Sequence, residues 1–136
     1  MSRSGPRRPA RAGQSLVEFA LVLPVLLIVV VGLFDFGRAI YASNAIGNAA
    51  RVATRVAIVD QDEARIKQTA VNEAPGAGLQ QSGVVVTYSC TDRIEVCFAT
   101  VAVTTGYAPA TPLIEALVGP ITLTASSEMP IEHLSP

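Results

Sequence analysis

With 136 residues the chain has room for one modest domain and not two, and with half of them hydrophobic and only 15% charged it is poorer in charge than an ordinary soluble domain. Charge is also uneven: residues 1–15 hold four arginines (Arg3, Arg7, Arg8, Arg11) and no acid, whereas the rest holds six basic and eleven acidic residues. Nucleic-acid binding needs Lys and Arg clustered on a folded surface, and these arginines crowd a Gly/Pro/Ser-rich tail, so no nucleic-acid partner is expected.

The basic tail ends at Gly13. Leu16–Phe34 (LVEFALVLPVLLIVVVGLF) then carries one ionisable residue, Glu18. Nineteen helical residues span about 28 Å, close to the ~30 Å hydrocarbon core of a bilayer. The segment has no polar stripe by which a small soluble core could accept it, so membrane lipid is its expected surrounding. Arginines before the run and Asp35 after it predict a cytoplasmic N-terminus and an extracytoplasmic C-terminal part. A cleaved secretory signal fits less well, because the run is long and Asp35, Phe36 and Arg38 follow it without an A-x-A-like pair. Pro24 removes a backbone donor inside the span. It marks either a tolerated kink or a point where the helix bends on packing with partners.

Beyond Phe34 the helical pattern continues. Asp35 and Arg38, three apart, are placed to pair at the outer interface. Ala42, Ala45, Ala49, Val52 and Val56 recur every three or four residues as an apolar stripe, and Asn44, Asn48, Arg51 and Arg55 form a polar one. A face of small residues permits close approach to another helix or to a sheet. Its partner is either the protein's own C-terminal part or a neighbouring subunit. Asp60 or Asp62 is placed to cap a short helix that Pro75-Gly76 ends near Ala74.

Three stretches have strand character: Val84–Ser89, Ile94–Thr105 and Ile121–Ser126. Thr91-Asp92-Arg93 reads as a turn, which makes the first two a hairpin and sets Cys90 and Cys97 symmetrically about it. Two cysteines on the predicted outer side favour one disulfide in an oxidising compartment. A metal site would need more ligands than these, and the single histidine, His133, sits in a proline-flanked tail. No metal, no cofactor and no enzymatic activity are expected. The expected class is therefore α+β: a long N-terminal transmembrane helix continuing into a stalk, then a small antiparallel sheet. The expected division is a basic cytoplasmic leader at 1–13, the transmembrane helix and stalk at 14–59, and an extracytoplasmic domain at 60–136.

The head of the helix carries a more specific pattern. A short basic leader ends in Gly13, Glu18 stands five residues on at the mouth of the apolar run, and the aromatic Phe19 follows. This resembles the prepilin motif of type IVb (Flp, tight-adherence) pilins. Phe34-Asp35-Phe36-Gly37-Arg38 resembles the Asp-x-Gly-Arg signature that follows the span in TadE-like proteins, and Tyr107-Ala108-Pro109 with Ile121–Glu132 resembles their C-terminal part. The resemblance implies a pilin-like fold and cleavage between Gly13 and Gln14 by a prepilin peptidase, so that Glu18 becomes the fifth mature residue. It also implies a bacterial cytoplasmic (inner) membrane location, possible incorporation in the pilus being left open, with the major pilin, other minor pilins and the assembly machinery as partners. The implied function is that of a minor pilin or pilus-assembly protein acting by helix packing. The alternative is an uncleaved single-pass anchor that presents a small disulfide-bonded binding or adhesin module. From the residues alone, Glu18 either snorkels to the interface or awaits a charged partner, since a buried glutamate is costly unless paired.

Overall fold

The computed structural model describes residues 11–91 and 96–131. The arginines of the leader before residue 11, Asp92 and Arg93 of the expected turn, and His133 lie outside the described residues. The elements in chain order are α1 (Arg11–Ala57), α2 (Glu63–Glu73), a 3-10 turn (Gln81–Gly83), β1 (Val84–Thr91), β2 (Val96–Tyr107), α3 (Pro112–Val118) and β3 (Ile121–Pro130). The architecture is α+β, as expected. By internal packing the chain divides after Phe34 into two units, each described by itself.

In the first unit α1 is helical through Pro24. From Gly13 to Val31 every residue is exposed, large apolar side chains included. The most apolar stretch reaches a mean hydropathy of 2.9 with none of it buried. Among the described residues nothing covers these side chains, and a helix apolar on all sides requires an apolar surrounding. It is a candidate membrane anchor by length and composition.

In the second unit, beginning at Asp35, the three strands form an antiparallel meander in the order β1-β2-β3. β2 is central and alternates strictly, with Cys97, Ala99, Val101, Val103 and Thr105 buried on one face. That face is covered by the later part of α1 and by Ile66 and Ala70 of α2. The small-residue stripe is present, and its partner in this structure is the protein's own sheet. It is centred one residue away from the expected row: Ala42, Ile46, Ala49, Ala50, Ala53 and Ala57 are buried, while Ala45 and Val56 flank the core and Val52 is half-buried. The expected polar row, Asn44, Asn48, Arg51 and Arg55, is exposed.

Alanines at the contact bring the helix backbone close to the sheet and leave no slack for a larger group. Ala53→Leu should therefore cost about 1–3 kcal/mol through overpacking. Asn48→Leu, on the exposed side, should change stability little. Urea unfolding of the full chain in detergent, followed by near-ultraviolet circular dichroism, distinguishes the two.

Thr54 is the one fully buried polar side chain on this helix face. Its hydroxyl lies 2.7 Å from the Ala50 carbonyl and 3.2 Å from the Ser127 carbonyl of β3, so its single proton serves one or the other. Both aspartates considered as caps for α2 are used, in series. Asp62 is the N-cap and accepts from the Ala64 N–H at 3.0 Å, and Asp60 accepts from the Asp62 N–H at 3.1 Å. Cys90 and Cys97 are direct partners in the β1–β2 register and are joined by a disulfide.

The short helix α3 was not expected. Its signals are nonetheless present in the sequence: Thr111 at the N-cap, Pro112 in the first turn, and Gly119 at the end with φ 73°, a left-handed position suited to glycine. The closely spaced prolines at 109 and 112 read as loop and masked them.

Candidate assembly site and the clasp around Asp35

Two places carry the residues singled out in the sequence. The first is the start of α1. Gly13, Gln14, Glu18 and Phe19 are all exposed on the helix. Gln14 Nε2 donates to Glu18 Oε1 at 3.2 Å, one helical turn apart. A side chain at position 13 would meet nothing within 4 Å, so the fold gives no reason for a glycine there. A protease, by contrast, gains from one, because glycine lets the chain extend into a cleft without a side-chain clash. Such extension requires the first turn of α1 to open.

The second place lies at the head of the second unit, one residue beyond the apolar run. Asp35 and Arg38 approach each other at 3.6 Å, but Arg38 is not the closest partner of Asp35. The Asp35 carboxylate is buried and accepts two backbone N–H groups, from Ala110 at 3.0 Å and from Thr111 at 3.2 Å. The Tyr107 hydroxyl donates to the Asp35 carbonyl at 2.9 Å. The Arg38 guanidinium stands over the Tyr107 ring, 5.8 Å from its centroid, within cation–π range. Asp35, Arg38, Tyr107 and the backbone of 110–111 thus form one clasp.

Sequence reading placed Asp35 and Tyr107 in separate motifs about seventy residues apart. The structure brings them together. The Thr111 side chain first, then the N–H groups of Ala110 and Thr111, and last the Arg38 charge, favour the ionised form of Asp35 against the opposing effect of burial. Its pKa is held below the ordinary carboxylate value.

This arrangement is that of a structural lock. An open cleft beside it is lined by Arg38, Tyr41, Gly76, Gly78 and Tyr107. Among the described residues no group of three His, Cys, Asp or Glu side chains is placed to hold a metal ion.

In comparisons with known proteins, the family model described as TadE-like protein matches residues 13–55. No curated protein and no solved structure matches the chain. The matched segment begins at the glycine of the leader and takes in Glu18, Phe19, Asp35 and Arg38, ending near the close of α1; the Tyr107 loop and β3 lie outside it. Over residues 13–55, then, the chain is similar to TadE-like proteins, the family whose signature the Phe34-Asp35-Phe36-Gly37-Arg38 stretch resembles.

Proposed function

We propose that the protein is a minor pilin or pilus-assembly protein of a tight-adherence (type IVb, Flp) pilus, held in the bacterial cytoplasmic membrane by the first part of α1. The leader faces the cytoplasm and the sheet faces outward, in line with the arginines before the span and the acid after it. The observation that carries this reading is the TadE-like match over a helix whose apolar residues are uncovered on every side. Such a helix stays in lipid until it packs laterally against other helices of its kind, and its action is packing rather than catalysis.

Cleavage after Gly13 by a prepilin peptidase frees the α-amino group of Gln14, whose ordinary pKa near ~8 leaves it largely protonated at neutral pH. Glu18 then has a cation to pair with on a neighbouring subunit, which offsets the cost of a carboxylate at the edge of the hydrocarbon and fixes axial register. The partners are the peptidase, the major pilin, other minor pilins and the assembly machinery.

Mass spectrometry of the protein isolated from cells that make the peptidase should give Gln14 as the first residue. An intact Met1 or Ser2 terminus would favour the other reading, an uncleaved anchor presenting a disulfide-bonded module, with which the Cys90–Cys97 bond is also compatible.

A further inference from the structure

The second unit leaves several large apolar side chains uncovered; Val59, Val85 and Tyr88 lie apart, whereas others sit on α3 and on the stretch of α1 that follows Asp35. Leu117 and Val118 of α3 are 78% and 59% exposed, and Ile121 at the start of β3, together with Phe36, Ile40 and Tyr41 of α1, is also exposed. The clasp fixes where these residues lie. Thr111, which precedes α3, donates its N–H to Asp35. Ile121, which follows α3, stands opposite Tyr107 in the β2–β3 register, and the Tyr107 hydroxyl bonds the Asp35 carbonyl. Residues 112–120 therefore leave from Asp35 and return to its vicinity. Seven helical residues reach about 10 Å, so α3 stays within about that distance of the clasp. Between Gly106 and Thr122 the only ionisable side chains are Glu115 and the Tyr107 phenol, the latter engaged in the clasp.

Asp35 directly follows the apolar run, so in the membrane reading it marks the outer edge of the hydrocarbon. The polar layer beyond that edge is roughly 5–8 Å deep. Exposed apolar side chains this close to Asp35 have the composition of segments that lie in the membrane interface. Exposed apolar side chains on neighbouring residues call for a partner, and for α3 the partner at hand is lipid.

We infer that α3 is a second membrane contact: its apolar side chains Leu117 and Val118, with Ile121, rest in the outer leaflet's interface. This inference rests on the membrane-span reading of α1. Its occupant is a phospholipid surface, not another protein chain.

The test uses the full, disulfide-bonded chain carrying one added cysteine, reconstituted at low density into phosphatidylcholine–phosphatidylglycerol vesicles and spin-labelled. The variants are Leu117→Cys, Val118→Cys, Thr87→Cys on the exposed part of β1, and Leu26→Cys in the span. Collision of each label with oxygen, which partitions into lipid, is compared with collision with a water-soluble nickel chelate. The oxygen-to-nickel ratio at 117 and 118 should exceed that at 87 several-fold and approach that at 26. Ratios at 117 and 118 equal to that at 87, with 26 still lipid-like, overturn the inference and leave the span intact. Labels at 117 and 118 shielded from both reagents overturn it in favour of a protein contact. A water-like label at 26 overturns the span and the inference together.

Discussion

Asp35→Ala should lower the midpoint of thermal unfolding of the sheet domain by about 5 °C or more, on the scale that links small stability losses to Tm in domains of this size. The carboxylate accepts two backbone N–H groups from the 110–111 turn, and neither has a partner within a helix or a strand ladder. Without Asp35 both must turn to water, and the loop that leads into α3 loses its tether. Asp35→Asn should recover only part of the loss, because its amide nitrogen faces a donor where an acceptor is needed. Differential scanning calorimetry of the full chain in detergent checks the order wild type, Asn, Ala.

The same site sets a pH dependence. Because the folded pKa of Asp35 lies below its unfolded value, its contribution to stability is fully present above the ordinary carboxylate pKa of about 4 and is lost as pH falls through the lowered folded value. Acid unfolding of the wild type below that pH should be steeper than that of the Ala variant, whose curve lacks this carboxylate. Equal slopes would remove Asp35 from the account.

Opening the disulfide should be the other large loss. Cys90 and Cys97 are seven positions apart and close the distal end of the β1–β2 hairpin. A cross-link around so short a loop stabilises by about 2–3 kcal/mol in the chain-entropy account. The double variant Cys90→Ser, Cys97→Ser should unfold at correspondingly lower urea concentration with little change of slope. Reductant should shift the wild type by a similar amount and leave the double variant where it is. A shift in both would place the effect of the reductant elsewhere.

The long helix, the hairpin and the third strand were legible because their signals are local. Leu16–Phe34 is apolar apart from Glu18, Val84–Tyr88 is rich in β-branched residues, and the two cysteines flank Thr91-Asp92-Arg93 in the sequence. The small-residue stripe was legible in period but not in phase. Valine and alanine weigh similarly in a sequence pattern, whereas the fold buries the row of Ile46, Ala50, Ala53 and Ala57 in the same core as Ala99 and Val101 of the sheet and leaves Val52 and Val56 at its edge. The clasp was not legible. Its donors to Asp35 are main-chain N–H groups, which every residue but proline possesses, so no side-chain code announces them. Asp35 beside Arg38 suggested a salt bridge, and the stronger partners stood 75 and 76 residues away. Thr54 was hidden for a similar reason, since its distant partner is the Ser127 carbonyl.

The separation between Asp35 and its donors has a consequence for biogenesis. If the chain crosses the bilayer from its N-terminal side, Asp35 arrives outside while Tyr107, Ala110 and Thr111 are still to be translocated, and during that interval water alone hydrates the carboxylate. The alanine face of the helix is bare over the same interval, because the strands that cover it arrive in the same late segment. On that condition, translocation order would give the emerging chain a window in which its helix is uncovered, and arrival of the last third of the chain would shut it.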